Sequence, residues 1–255
     1  MGPTGSGKTG IAIKIAKRVG GEIISADSRT IFCGMDVGTA KPSLAEREGV
    51  LHWGFDLVQP GERFTVADWK KYAEQKIDEI FAREKVPIVA GGTGLYADAL
   101  VFDYQFAAPS KGYGKNRGAS KKVVREDTEK YPDRQEMCSK YKIFGIEWER
   151  KELRERLRQR AEQMFSEELY TETRELVQKY GLESRAMTGD VYKIVWRFLR
   201  GEITREEAVE LTAIKDAQLA KRQMTWFKRN SEISWLPLEK VYADVLKCIQ
   251  NEQGK

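Results

Sequence analysis

Residues 2–9 read Gly2-Pro3-Thr4-Gly5-Ser6-Gly7-Lys8-Thr9 and fit G-x-x-x-x-G-K-[ST] at every fixed position. In this pattern the glycines let backbone N–H groups turn toward an anion. The helix that opens behind them adds the positive end of its dipole. Lys8 supplies a point charge, and Thr9 supplies a hydroxyl for Mg2+ or a phosphate oxygen. The pattern normally follows a buried β-strand. No apolar strand stands ahead of Gly2 in this sequence. The strands flanking that position are therefore expected to lose ladder partners. An in-frame apolar stretch upstream of Met1 is expected to restore them.

Working outward, Ile11-Ala12, Ile15-Ala16 and Val19 recur at helical spacing, and Gly20-Gly21 stops that helix. Residues Glu22 to Asp27 then read as a short buried strand with a polar end. The spacing predicts an amphipathic helix over 66–84, with Trp69, Tyr72, Ala73, Ile77, Ile80 and Phe81 on one face. Val86–Ala90 is a second apolar strand, followed directly by Gly91-Gly92-Thr93-Gly94. Strand, helix and strand with short connections is the grammar of a parallel α/β sheet. Residues 108–122 break it, being rich in Gly, Ser and Lys with five positive charges and no acid, and read as a mobile basic loop. A short strand at 142–146, helices to about Asn230 and a last strand at 233–236 follow.

At 255 residues with 41% apolar content, the chain has room for one large domain, or one domain with an insertion. No apolar run approaches the roughly 18 residues that a membrane span needs, and the start lacks the apolar segment of a secretory signal. Cys33, Cys138 and Cys248 form no C-x-x-C pair and His52 is the one histidine, which argues against a zinc site and for reduced thiols in the cytoplasm. Net charge is +5, unevenly spread. Residues 1–110 hold 13 Lys and Arg against 14 Asp and Glu, whereas 111–160 hold 16 against 9. The stretch 214–230 adds Lys215, Lys221, Arg222, Lys228 and Arg229 against Asp216 alone. A basic second half suggests a polyanionic partner beside the small phosphate ligand, although a solvated helical face gives the same composition.

The phosphate loop does not name its phosphate. A nucleotide hydrolase would carry an apolar strand ending in a metal-binding Asp. Asp27 fits that role. It fits equally a general base at a strand end, or a turn residue. The loop 91–94 is either a tight turn or a second ligand loop at the end of a parallel strand.

Together GPTGSGKT (2–9), EIISADSR (22–29), GMDVGTAKP (34–42), VAGGTGLY (89–96) and LAKRQMTWFKR (219–229) resemble the tRNA dimethylallyltransferase, or tRNA isopentenyltransferase, family. The stretch 144–165 is similar to the family's helix after its insertion, so the likeness covers roughly 1–105 and 142–236. The resemblance implies a P-loop NTPase-like α/β fold, a parallel sheet flanked by helices, with a helical C-terminal part. On that reading 1–105 is the first part of the core, 106–141 a shortened basic insertion, and 142–255 the rest of the core with the C-terminal helices. It implies transfer of the dimethylallyl group from dimethylallyl diphosphate to N6 of the adenosine 3′-adjacent to the anticodon, in tRNAs reading codons that begin with U. By family match, Gly2, Pro3, Thr4, Gly5, Ser6, Gly7, Lys8 and Thr9 hold the diphosphate, with Mg2+ at Thr9. Asp27 takes the N6 proton, and Thr93 contacts the diphosphate or the bridging oxygen. Ser28, Arg29, Lys221, Arg222 and Gln223 are implied on the tRNA anticodon stem-loop, and unstacked bases could lie against Trp226 and Phe227. The family also implies a monomer.

The sequence departs from the family in several places. Thr30, Phe32 and Cys33 stand where Gln, Tyr and Arg are usual, and Asp216-Ala217 where Thr-Arg is usual. Residues 51–56 read Leu-His-Trp-Gly-Phe-Asp where the family tends to Pro-His-His-Leu-Ile-Asp. Position 188 is Thr where the family has an arginine on the diphosphate, and Lys193 is a weak substitute. Two other readings compete: a relative that binds tRNA without turnover, and a P-loop kinase or nucleotide hydrolase.

Overall fold

The computed structural model describes residues 1–106, 140–184 and 186–253. The expected basic loop at 108–122, most of the expected insertion and Cys138 lie outside them.

Helix α1 (Lys8–Val19) buries Ala12, Ile13, Ile15 and Ala16 and closes on Gly20, which takes the left-handed conformation. The N–H of Gly21 reaches back to Ala16 O, the wrap expected of a glycine C-cap. Strand β1 (Glu22–Ser25) is buried at all four positions, as a central parallel strand must be. It pairs in parallel with β2 (His52–Trp53) and β3 (Pro87–Ala90), giving the order β2-β1-β3. A second parallel pair joins β4 (Phe144–Glu147) to β5 (Ser234–Pro237). Met1 lies against β4. Its carbonyl accepts from Ile146 N at 3.0 Å and its amino group donates to Phe144 O at 2.6 Å. Strand β2 is only two residues long and has no sequence pattern of its own.

Helix α2 (Val66–Ala82) starts on a capping box in which Thr65 and Asp68 satisfy each other's backbone N–H groups. Trp69, Ala73 and Ile80 are fully buried. Trp69 donates to Ser25 O at 2.9 Å and stacks on Tyr96 at 4.5 Å, fixing α2 and α3 (Gly94–Val101) on the sheet. Phe81, expected on the buried face, is 61% exposed. It lies twelve residues after Trp69, which at 3.6 residues per turn puts it about 120° away from that face.

The second half is helical: α4 (Arg150–Met164), α5 (Glu167–Tyr180), α6 (Asp190–Leu199) and α7 (Arg205–Phe227). Phe165, Leu169, Met187, Tyr192 and Val195 form their core, joined by Ile31, Phe32 and Met35 from the long excursion after β1. Helix α8 (Leu238–Gln253) packs back on α1. Among the described residues no helix is long and apolar enough to cross a membrane.

Candidate active site

The strands of the β2-β1-β3 ladder are parallel, so their C-terminal ends share one edge, where ligands bind in such sheets. Asp27 follows β1, Gly91–Thr93 follow β3, and the loop 2–9 lies beside them around a cavity of about 610 Å³. The other walls come from the excursion at Met35–Pro42, from α4 through Arg156 and Arg160, and from α7 through Lys215, Asp216, Arg222 and Gln223.

The phosphate loop is shaped by conformations only glycine takes easily. Gly7 caps α1 at φ 86°, with no side chain capping the helix. The first-turn N–H groups of α1 therefore face the cavity end without intrahelical partners. Lys8 folds back so that its ammonium donates to Pro3 O and lies 3.5 Å from Ser6 Oγ. Burial pulls its pKa down to about 8. Asp27 opposes that shift, and Arg160 adds to it. Thr9 is exposed at the cavity.

Asp27 accepts from the N–H of Arg29 at 2.8 Å through Oδ1, so it is a turn residue as well as a wall of the cavity. Thr93 stands at the N-terminus of α3 without capping it. Its hydroxyl accepts from Ser28 N at 3.0 Å and lies 3.3 Å from Ser28 Oγ, while its own N–H donates to Ala26 O. The two loops are thereby knitted together. Their closeness requires Gly91, where an added Cβ would sit 2.1 Å from Ala26 O.

Three residues expected toward tRNA are used differently. Gln223 donates to Gly92 O at 2.9 Å and accepts from Thr4 N at 2.7 Å, so its amide bridges the two loops. Phe227 is core at 1% exposure. Trp226 donates to Asp98 at 2.7 Å and lies under the guanidinium of Arg229 at 5.0 Å, so it is a wedge between α3 and α7 rather than a free stacking platform. Arg29 lines the cavity and reaches Ala186 O at 3.4 Å. Arg222 is exposed at the cavity edge, and Lys221 is exposed on the adjoining groove between α4 and α7. Lys193 does not substitute for an arginine at the diphosphate: it pairs with Glu183 at 3.3 Å, away from the cavity.

The sequence reading missed several residues that line the cavity or support its walls. Arg156 and Arg160 lie in a helix so charged that its inward residues cannot be told from its outward ones. His52 lines the cavity from β2. Its Nδ1 lies 2.9 Å from Val50 O, and its buried Nε2 has no partner among the described residues. Glu172 of α5 accepts from the N–H groups of Asp36, Val37 and Gly38 at 2.8–2.9 Å and from Tyr192 Oη at 2.7 Å. Lys41, nearly fully buried, joins Phe32 O, Asp36 and Asp56. Glu172 from outside and Lys41 from within fix the 34–42 wall, whose sequence gives no hint of Glu172.

Six cations and three acids line this cavity among the described residues. A glycine loop at a helix start and a cationic excess define a phosphate-handling site. The model of the IPP transferase family matches residues 30–138 and 118–230. A tRNA dimethylallyltransferase of Desulforudis audaxviator is 36% identical over 93% of this chain and 90% of its own length. A solved tRNA isopentenylpyrophosphate transferase of Staphylococcus epidermidis superposes with a TM-score of 0.80 at 30% identity, covering 99% of this chain and 97% of that one. One from Bacillus halodurans gives 0.77 at 27% identity, over 98% and 94%. The chain belongs to the tRNA dimethylallyltransferase family.

Proposed function

We propose that this chain transfers the dimethylallyl group from dimethylallyl diphosphate to N6 of the adenosine 3′-adjacent to the anticodon, in tRNAs reading codons that begin with U. The observation that carries this reading is the meeting of the phosphate loop, Asp27 and Thr93 at one cationic cavity. Family membership favours it over a kinase, a hydrolase or a binding protein without turnover.

In the reaction the N6 lone pair forms a bond to C1 of the dimethylallyl group as the C–O bond to diphosphate breaks. Negative charge grows on the leaving diphosphate. Loop N–H groups and the α1 dipole stabilise it, joined by Lys8 once its ammonium turns from Pro3 O to the diphosphate. Asp27 takes the proton that N6 loses, and its bond to Arg29 N holds its carboxylate in place. Thr93 contacts the diphosphate or its bridging oxygen, aligned by Ser28. An exocyclic amine is a weak nucleophile, so alignment of the two substrates supplies much of the acceleration. The adenine must leave its stack to enter.

Thr9 and Asp27 offer hard oxygen donors at this cavity. The described residues hold no cluster of three or more His, Cys, Asp or Glu. That set suits Mg2+ carried mainly by substrate phosphate oxygens, with Thr9 as a protein ligand. Bound Mg2+ would neutralise diphosphate charge. Ser28, Arg29, Lys221 and Arg222 are assigned to the anticodon stem-loop. A cytoplasmic monomer completes the proposal.

The test combines protein, Mg2+, dimethylallyl diphosphate and an anticodon stem-loop, with digestion to nucleosides and mass analysis. The expected product is an adenosine heavier by one dimethylallyl group. Folded protein that leaves every adenosine unchanged would overturn the proposal.

A further inference from the structure

A second hollow, of about 1290 Å³, lies outside the active-site cavity along the groove between α4 and α7. Its base is closed by Leu157, Ala213 and Ala220, all buried. Along it Leu153, Ala217 and Met224 are half-buried, and Ile214 is 43% exposed. The small residues at 213, 217 and 220 repeat at helical spacing, so α7 turns one low stripe toward α4 and leaves the groove open. An aliphatic strip of this kind, left in water and rimmed by charge, marks a contact surface.

The rim is cationic. Lys151 and Arg154 of α4 and Lys228 of α7 line it, all exposed and without an ion pair among the described residues. The acids lining it are Glu155 and Glu210, and Glu210 already lies 3.7 Å from Arg158. The occupant is therefore acidic. Single-stranded RNA would need aromatic faces for its bases. The aromatic side chain of this groove, Trp148, has the guanidinium of Arg156 over its ring at 4.5 Å and its Nε1 on Ser6 O at 3.1 Å. An aliphatic floor offers phosphates nothing. A helix with an apolar stripe and flanking carboxylates matches both floor and rim. The α7 lining runs from Glu210 to Lys228. At 1.5 Å per residue that is about 27 Å, the length of roughly five helical turns.

We propose that the α4–α7 groove is a docking site for an acidic amphipathic helix of a partner protein. The helix lays its apolar stripe over Leu153, Ile214, Ala217 and Met224 and sets its carboxylates against Lys151, Arg154 and Lys228. Lys221, where the groove adjoins the active-site edge, stays with the stem-loop. The docked helix rests on side chains that also support the phosphate loop, since Leu157 packs on Gly5 and Trp148 holds Ser6 O. The docking site goes beyond the prenyl-transfer reading and does not depend on it.

The test uses the full chain and a fluorescein-labelled synthetic peptide of about 18 residues, with leucines on one helical face and glutamates on the others. Binding is read by fluorescence anisotropy. A peptide of the same composition in scrambled order and one with lysine for glutamate are the controls. The ordered acidic peptide is expected to bind at least roughly tenfold more tightly than either control, and more weakly as salt rises. Ile214→Glu, which puts a like charge on the exposed floor, and Arg154→Glu, on the rim, should each weaken it roughly tenfold. Ile214→Ala should weaken it less. No binding, or binding equal to that of the scrambled peptide, overturns the proposal. So does wild-type affinity in folded Ile214→Glu, or in Arg154→Glu if the first variant does not fold. A stem-loop affinity that falls tenfold in Arg154→Glu while the peptide does not bind would give the groove to RNA and overturn the protein reading. A dimer in sedimentation that Ile214→Glu dissociates would give it to a second copy of this chain, with the same consequence.

Discussion

The cavity has two kinds of wall. On the sheet side, loops 2–9 and 91–93 present backbone, with glycines where a side chain would collide. On the helical side, α4 and α7 present long side chains such as Arg160, Lys215 and Arg222. Backbone N–H groups at a helix start are fixed by the fold and cost no ordering when a ligand arrives. Long cationic side chains can be exchanged one at a time, and each changes affinity by a modest factor. The sheet wall should therefore be intolerant of change and the helical wall graded.

Lys8→Met should break the sheet wall most deeply. Removing a preorganised charge from a leaving-group site costs roughly 1000-fold in kcat, which single-turnover transfer would reveal. A loss under tenfold would mean that the helical wall carries the charge. Gly91→Ala comes next. An added Cβ 2.1 Å from Ala26 O has nowhere to go because the obstacle is backbone. A loss of about 3 kcal/mol is expected in the denaturant midpoint, whereas a neutral effect would mean the two loops are not locked together. Gln223→Ala tests the bridge between the walls. Two loop groups, Thr4 N–H and Gly92 C=O, lose their partner, and about 2 kcal/mol of stability should go with them. Stem-loop affinity should fall little, in contrast to a direct tRNA contact.

The smallest effect sharpens the comparison through pH. Lys8, with its pKa lowered to about 8, is charged at neutral pH and discharges as pH rises through 8. Pyrophosphate binding should weaken above that point. In Arg160→Gln the weakening should shift upward, because Arg160 is one of the groups depressing the Lys8 pKa. Glu22 provides the acid-side control. Burial would raise its carboxyl, but hydrogen bonds from Arg83, Trp53 and Lys85 outweigh burial and hold it at about 2. Its contribution to stability is complete above the ordinary 4.5 and is lost as pH falls toward 2. Glu22→Gln should lower Tm at pH 7 and flatten that acid limb, while leaving the pyrophosphate pH profile unchanged.

The same contrast governs what could be read from the sequence. The glycine loops, α1, β1, α2 and β3 were legible because glycine patterns and apolar periodicity are written in consecutive residues. The corresponding site residues Thr9, Asp27 and Thr93 were legible with them, and the structure brings all three to one cavity. The helical wall was not legible. In α4 the charges run almost continuously, so nothing marks Arg156 and Arg160 as the ones turned to the phosphate loop. Gln223 sits in a stretch read as tRNA-facing, but its two partners, Thr4 and Gly92, are far away in sequence. Trp226 and Phe227 carry cations on either side, which suggested a stacking surface. Only the packing reveals the Asp98 bond and the buried ring. Long-range pairing also hid Glu172, whose four hydrogen bonds reach a loop and a helix distant in the chain.

The most direct test of the account is single-turnover transfer by the wild type and Asp27→Asn, with dimethylallyl diphosphate, Mg2+ and the anticodon stem-loop all saturating. The account predicts dimethylallyl-adenosine from the wild type and a rate at least roughly 100-fold lower in the variant, the scale of a lost general base, with both substrates still bound. Equal rates in the two proteins would contradict it, because the proton of N6 would then be leaving by a path that does not involve Asp27.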